Sequence, residues 1–320
     1  MSGRELDLDA ILAGADEPLP EGHRSGLLAL VGRPNVGKST LLNQMVGEKV
    51  AIVTQVPGTT RNAIRGVVTR SDAQLVFLDT PGLAKPRTLL TRRLNELVRD
   101  TWAGVDAVCF LVDVADGIGR GDEFLAAELA GIRTPVVAVA NKVDRVRDKA
   151  SLLPRLARLE GLLGEGRSFA DIVPVSAETG ENVPALLDVL VSHLPEGPRL
   201  FGSGHVSDQP EAQLAAEILR EKLIRDLQHE LPHSVAVTVD EIRPSEERED
   251  LLEVDAVIHV ERDSQKGIVI GRKGANLKAA ATAARQELEV LLGAKVFLTT
   301  HVTVAKEWQR DAKQLGRLGY

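Results

Sequence analysis

At 320 residues, with 43% apolar and 27% charged residues, the chain has the make-up of an ordinary folded protein and the length for two domains of about 150 residues each. A net charge of −7 excludes an all-over basic coat for nucleic acid, and no apolar run approaches the ~18 residues that cross a membrane. The single Cys109 excludes an internal disulfide and reads as buried filler in an apolar run; with no basic-then-apolar start, a cytoplasmic protein is expected.

Residues 1–25 are acidic, carry Pro18 and Pro20, and show no sustained period, which predicts a mobile leader. From 26 to 194, short apolar segments at 27–31, 65–70, 74–79, 107–113, 135–140 and 171–175 alternate with helical patterns such as 89–102 and 123–129. That alternation predicts an α/β domain with a mostly parallel sheet. Only Ser71, Asp72 and Ala73 separate the second and third segments, so these two should form an antiparallel hairpin and make the sheet mixed. The Pro- and Gly-rich stretch 195–209 reads as a linker.

A second unit, 210–320, follows. A helical pattern over 210–230 precedes two alternating strands, carrying Val235, Val237 and Val239, then Val254, Ala256, Ile258 and Val260. The acidic run 246–250 between them is a solvated loop. Next come a short apolar segment at 268–270, a glycine-bracketed turn, and a helix with Leu277, Ala281, Ala284, Leu288 and Leu291 on one face. A strand at 295–304 and a polar tail helix from Lys306 complete the chain. From Arg262 to Tyr320 there are eleven Lys or Arg and five Asp or Glu, a local net of +6 that suggests a polyanion partner.

The chemistry is concentrated in four loops of the first domain. Gly32, Arg33, Pro34, Asn35, Val36, Gly37, Lys38, Ser39 and Thr40 lie between a strand and a helix. The glycines let successive N–H groups face one polyphosphate, Lys38 reaches the outer phosphates, and Ser39 can hold magnesium. Asp79, Thr80, Pro81 and Gly82 end the hairpin; the Asp79 carboxylate can reach magnesium through a water, and the Gly82 N–H can meet the terminal phosphate. Asn141, Lys142 and Asp144 choose the base. An ionised carboxylate only accepts hydrogen bonds, which suits the N1–H and amine of guanine and not adenine. Ser176, Ala177 and Glu178 follow the next strand, and the Ala177 N–H is expected to meet the guanine oxygen. The expected ligands are GTP and GDP with Mg²⁺.

Residues 26–194 thus resemble the G domain of translation-factor-related GTPases, a P-loop fold, with all five motifs in order. The resemblance makes the segment Pro57 to Arg61 the first switch and assigns Thr60 to magnesium and the terminal phosphate. Leu83 stands where a water-positioning glutamine is found in Ras-like proteins, and leucine can neither donate nor accept a hydrogen bond. The resemblance implies slow hydrolysis with Lys38, Thr60 and Gly82 at the phosphates, accelerated by a partner or a cation; Asn35 would hold a K⁺ ion.

In the second unit, Gly271-Arg272-Lys273-Gly274, flanked by Ile270 and Lys278, resembles the turn of a KH domain. Such a turn brings backbone amides and basic side chains to a nucleic-acid backbone. The order helix–strand–strand–helix–helix–strand is that of the α+β type II form. A G domain followed by a type II KH domain, with Leu219 to Leu227, Glu230 to Val235, Ser264 to Lys266 and Trp308 to Tyr320, resembles the Era family over residues 26–320. That resemblance implies binding of single-stranded rRNA at the 3′ end of the small ribosomal subunit, rather than DNA, and a part in maturation of that subunit. It also implies peripheral membrane association; a monomer is expected. Ordering of residues 54–64 and 82–93 by GTP should alter how the domains dock. The usual family turn has an extra glycine where this chain has Lys273.

Overall fold

The computed structural model describes residues 19–54, 56, 60, 61, 64–83, 88–225, 227 and 231–320. Most of the acidic leader, and Pro57, Gly58 and Thr59 of the first-switch motif, lie outside the described residues. The chain divides into two compact units, the first of which comprises Met1–Ala51, Asn62–Leu83 and Asn95–Asp208.

The strands of the first unit are β1 (Arg24–Gly32), β2 (Ile64–Thr69), β3 (Ala73–Asp79), β4 (Ala107–Asp113), β5 (Val136–Asn141) and β6 (Asp171–Pro174). They form one sheet in the order β2-β3-β1-β4-β5-β6. The β2–β3 pair is antiparallel, the expected hairpin, and the other neighbours run parallel. Its helices are α1 (Lys38–Val46), α2 (Leu89–Ala103), α3 (Arg120–Ala130), α4 (Leu152–Glu160) and α5 (Val183–Ser192). Successive residues of each strand serve opposite faces. Leu28, Leu30, Cys109 and Leu111 belong to one core, and Ala29, Val31, Val108 and Phe110 to the other. That explains why β1 and β4 read as unbroken apolar runs. Cys109 has 0% exposure, and burial pushes its thiol up to about 12, so it is filler and not a nucleophile. In register, Leu30 lies opposite Asp79 and Asp113 opposite Asn141, so the carboxyl ends of β1, β3, β4 and β5 deliver their loops to one edge of the sheet.

Residues 195–209 are not a free linker. Glu196 bridges to Arg24, Ser207 bridges to Gly66, and the Val67 N–H donates to the Val206 carbonyl at 2.9 Å. Gln74, fully buried, accepts from the Leu200 and Phe201 N–H groups at 2.7 and 2.8 Å. The first unit therefore runs to Asp208 and not to Leu194. The open edge of β2 offers the end of this stretch unpaired backbone groups, which Val206 and Ser207 take up. It is a strap on the sheet.

The second unit comprises Ile52–Arg61, Ala84–Leu94 and Gln209–Tyr320. Its elements are α6 (Glu211–Arg225), α7 (Leu231–Ser234), β7 (Ala236–Pro244), β8 (Leu251–Val260), α8 (Asp263–Ile270), α9 (Ala275–Leu292), β9 (Lys295–Val304) and α10 (Ala312–Arg317). The first helix ends at Arg225, earlier than the predicted 230; residues 226 and 228–230 lie outside the described ones. The sheet order is β7-β8-β9, antiparallel then parallel. Val254, Ala256, Ile258 and Val260 join the core with Ile218 of α6 and Leu288 of α9. From the strand residues between them, Glu253 and Asp255 hold Arg243 at 2.7 and 2.8 Å.

The tail is not simply polar. Trp308 and Leu315 have 0% exposure and cluster with Leu90, Ala236 and Leu318. The expected helix from Lys306 is in fact a short turn at Trp308–Arg310 and, after an extended Asp311, a helix at Ala312–Arg317, so these apolar residues meet by tertiary packing and not along one helical face.

Candidate functional site

The phosphate loop is shaped by its left-handed residues. Gly37, the N-cap of α1, has φ 103°, and a Cβ there would lie 2.4 Å from Asn141 Nδ2, so only glycine fits. Asn35 adopts φ 64° with an exposed side chain. Val36 turns its side chain into the core. Lys38 is 8% exposed and donates from Nζ to the carbonyls of Gly32 at 3.0 Å and Arg33 at 3.3 Å. Burial lowers its pKa, and the Asp79 carboxylate opposes that shift. A desolvated ammonium beside a curled loop is built to gain an anion.

Ser39 Oγ donates to Asp79 Oδ2 at 2.6 Å. Asp79 is fully buried, and Thr80 next to it donates to the Leu30 carbonyl at 3.1 Å. A hydroxyl and a carboxylate in contact are the hard oxygen donors that suit magnesium. Pro81 is buried, and a Cβ on Gly82 would sit 3.4 Å from the Pro34 ring, so this loop runs alongside the phosphate loop. Leu83 is half-buried against the core that contains Val31, Val112 and Val114, which turns its side chain to packing. Thr60 groups with the second unit, whereas Ser39 and Asp79 lie in the first.

Asn141, 1% exposed, donates from Nδ2 to the Val36 carbonyl at 2.8 Å and accepts the Ala177 N–H on Oδ1 at 3.0 Å. The Ala177 amide thereby ties its loop to Asn141. Ser176 is buried and accepts on Oγ from the Thr179 N–H at 3.1 Å, closing the same loop, with Glu178 exposed beside it. Lys142, at φ 67°, donates to the Asn35 carbonyl at 2.7 Å and pairs with Asp113 at 2.7 Å. Burial works against the charged form of Asp113, but the Lys142 ammonium and the Asp116 and Ala115 amides outweigh it and hold the carboxyl below its usual range. Asp113 is absent from the residues that the motifs single out, and its place at the end of a predicted strand is the signal that marks it. Asp144 lies exposed in a single helical turn, Val143–Arg145.

The side chain of Arg33 leaves the cradle. Its Nε lies 2.8 Å from buried Asp122 at the start of α3, and Nη2 donates to the Gly117 carbonyl at 3.3 Å. Arg33 fastens the loop, and only its backbone remains available to phosphate. Thr40 is half-buried in the first turn of α1.

In the second unit, Gly271 caps α8 at φ 73°, and a Cβ there would meet Asn276 Cγ at 2.5 Å. Asn276 donates to the Ile268 carbonyl at 3.0 Å and pins the turn. Gly274 has φ 78°, and Lys273, with no such freedom, is held at φ 52°. Arg272, Lys273 and Lys278 are exposed, Ile270 is half-buried and Ile268 is 48% exposed. Basic side chains and apolar surface therefore flank one tight turn, the arrangement that grips a single-stranded backbone.

Residues 27–142 match the family described as 50S ribosome-binding GTPase, and residues 230–309 match the KH domain. Over 311 residues the chain is 50% identical to the GTPase Era of Streptomyces coelicolor, covering 96% of this chain and 98% of that protein. The chain belongs to the Era family of GTPases. The Era of Mycobacterium avium is 50% identical over 299 residues, 93% of this chain and 99% of that one. A solved Era in complex with MgGDPNP and nucleotides 1506–1542 of 16S ribosomal RNA has a TM-score of 0.89 at 36% identity, covering 93% of this chain and 99% of that one. An Aquifex aeolicus Era bound to GDP·AlF₄⁻ has a TM-score of 0.88 at 37% identity, with the same coverage. The fold is accordingly a P-loop GTPase domain followed by a KH domain. Among the described residues, no helix is long and apolar enough to cross a membrane.

Proposed function

We propose that this Era-family GTPase binds single-stranded rRNA at the 3′ end of the small ribosomal subunit in the cytoplasm, hydrolyses GTP slowly, and assists maturation of that subunit. One observation carries the reading: an Era 36% identical over nearly the whole chain is in complex with MgGDPNP and nucleotides 1506–1542 of 16S ribosomal RNA. The broader description of the first domain names the large subunit, but that match spans residues 27–142 only, whereas the Era match spans both domains. The exposed Arg272 and Lys273 at the glycine turn supply the RNA contact expected of the second domain.

The residues fit guanine nucleotide and magnesium. Ser39 and Thr60 would hold the metal directly and Asp79 through a water; bound there, magnesium neutralises charge on the outer phosphates. Lys38 offers its ammonium to the same oxygens, and the Gly37 to Ser39 amides face them at the start of α1. Asp144 accepts from the guanine edge, and Lys142 covers the base. Leu83 leaves the attacking water without a side-chain partner, which accounts for slow hydrolysis, near the ~10⁻⁴ s⁻¹ intrinsic scale. The exposed Asn35 side chain, beside the phosphates, is the proposed K⁺ ligand; equal hydrolysis rates in potassium and sodium chloride would refute that part.

Crosslinking followed by sequencing of the bound RNA tests the main reading. Enrichment at the 16S 3′ end is expected, and it should disappear in Gly271→Asp. An even spread over cellular RNA would overturn the reading.

A further inference from the structure

Arg61 follows directly on Thr60, yet its side chain is 4% exposed within the second unit. Nη1 donates to the Val235 carbonyl at 2.9 Å and to the Tyr320 hydroxyl at 3.3 Å, and Nη2 donates to the His233 carbonyl at 2.8 Å. The guanidinium lies 5.2 Å from the centre of the Trp308 ring and 5.5 Å from that of Tyr320, and the two rings stack on each other at 5.6 Å. Trp308 in turn donates its indole N–H to the Ser234 carbonyl at 3.1 Å. This is a fitted slot, because a planar fork with several donors meets two carbonyls, a hydroxyl and two aromatic rings.

A second segment ends on the same cluster. Downstream of Gly82, Leu90 packs with Trp308, Leu315 and Leu318, and Arg93 donates to the Tyr320 carbonyl at 3.1 Å. Side chains from both segments expected to order with GTP, Arg61 from the first and Leu90 and Arg93 from the second, are therefore seated on the tail of the second unit.

The geometry points to Arg61 as the positioning residue through which the nucleotide state at Thr60 is conveyed to the RNA-binding unit, with the Trp308–Tyr320 slot as its receiver. Consecutive Cα atoms are ~3.8 Å apart, so the places of Thr60 and Arg61 cannot be set independently. Whatever fixes Thr60 at magnesium biases the slot, and whatever fixes the slot biases Thr60, because coupling between two binding events is reciprocal. The inference rests on the GTP-switched reading above and names the residue that carries the switch.

The test is the affinity of the full chain for a labelled RNA of nucleotides 1506–1542, measured with GDP and with GDPNP, for wild type, Arg61→Ala and Arg61→Lys. Wild type should show a ratio between the two states of about fivefold or more. Arg61→Ala should bring that ratio to within about twofold while GDP affinity, which does not depend on Thr60 reaching a terminal phosphate, stays near wild type. Arg61→Lys, which retains the charge without the fork and is the milder change to folding, should give an intermediate ratio. Tyr320→Phe removes only the hydroxyl and should keep most of it. An undiminished ratio in Arg61→Ala and Arg61→Lys overturns this inference and leaves the switch standing. Equal RNA affinities in the two states of wild type overturn both.

Discussion

The Asn141 amide donates to the Val36 carbonyl across 2.8 Å, so the loop proposed to select the base also holds the loop proposed to cradle the phosphates. Its Oδ1 simultaneously fixes the Ala177 amide. Three loops from three strand ends thus share one buried side chain, which couples the proposed base site to the shape of the proposed phosphate site.

Replacing Asn141 with leucine should therefore weaken nucleotide binding without touching a ligand-facing charge. The Val36 carbonyl and Ala177 N–H would each lose a partner, at about 1–3 kcal/mol apiece. A fall in GDP affinity on the order of 10²-fold is expected by fluorescent-nucleotide titration. Affinity within about twofold of wild type would show that the tie does not shape the site.

Asp144→Asn should change which base is preferred. In the proposed site the carboxylate would accept two donors from guanine, whereas an amide can donate to the C2 carbonyl of xanthine. GTP affinity should fall by on the order of 10²-fold and XTP affinity should rise above it. Competition between the two nucleotides measures the reversal; retained GTP preference would place guanine recognition elsewhere.

The state of Lys38 gives nucleotide binding a pH dependence. Its folded pKa lies below the ordinary 10.5, so between those two values the unfolded chain holds more protons than the folded one. Stability of the nucleotide-free protein attributable to Lys38 hence rises with pH across that window. Binding of phosphate needs the ammonium, so GDP affinity should fall as pH rises through the same window, with proton uptake on binding. Calorimetry in buffers of different ionisation enthalpy reads both effects. Affinity that stays flat through that window would contradict them.

Lys273→Gly separates folding from RNA binding. A lysine at φ 52° carries a cost of about 1 kcal/mol that glycine does not. The variant should melt at a higher temperature, yet bind RNA several-fold more weakly and lower the slope of log K against log salt by about 1. An unchanged salt slope would remove Lys273 from the phosphate contacts.

Much of this molecule was legible in its amino-acid order. The phosphate loop, Asp79, the Asn141 to Asp144 stretch and the Gly271 to Gly274 turn are local signals, because each needs particular residue types within a few positions of one another on a strand–loop–helix frame. The hairpin of β2 and β3 and the strand–helix order of both units followed from periodicity for the same reason. The tertiary structure alone decided how distant side chains pair. It sent Arg33 to Asp122, gave Lys142 the Asp113 carboxylate, and laid residues 196–208 along the sheet where composition indicated a free linker. It also gave Arg61 a slot of two aromatic rings drawn from a tail that reads as polar. Arg61 and Tyr320 are 259 positions apart, and no local pattern reports such a pairing; it exists only once the fold has brought the two together and buried the guanidinium.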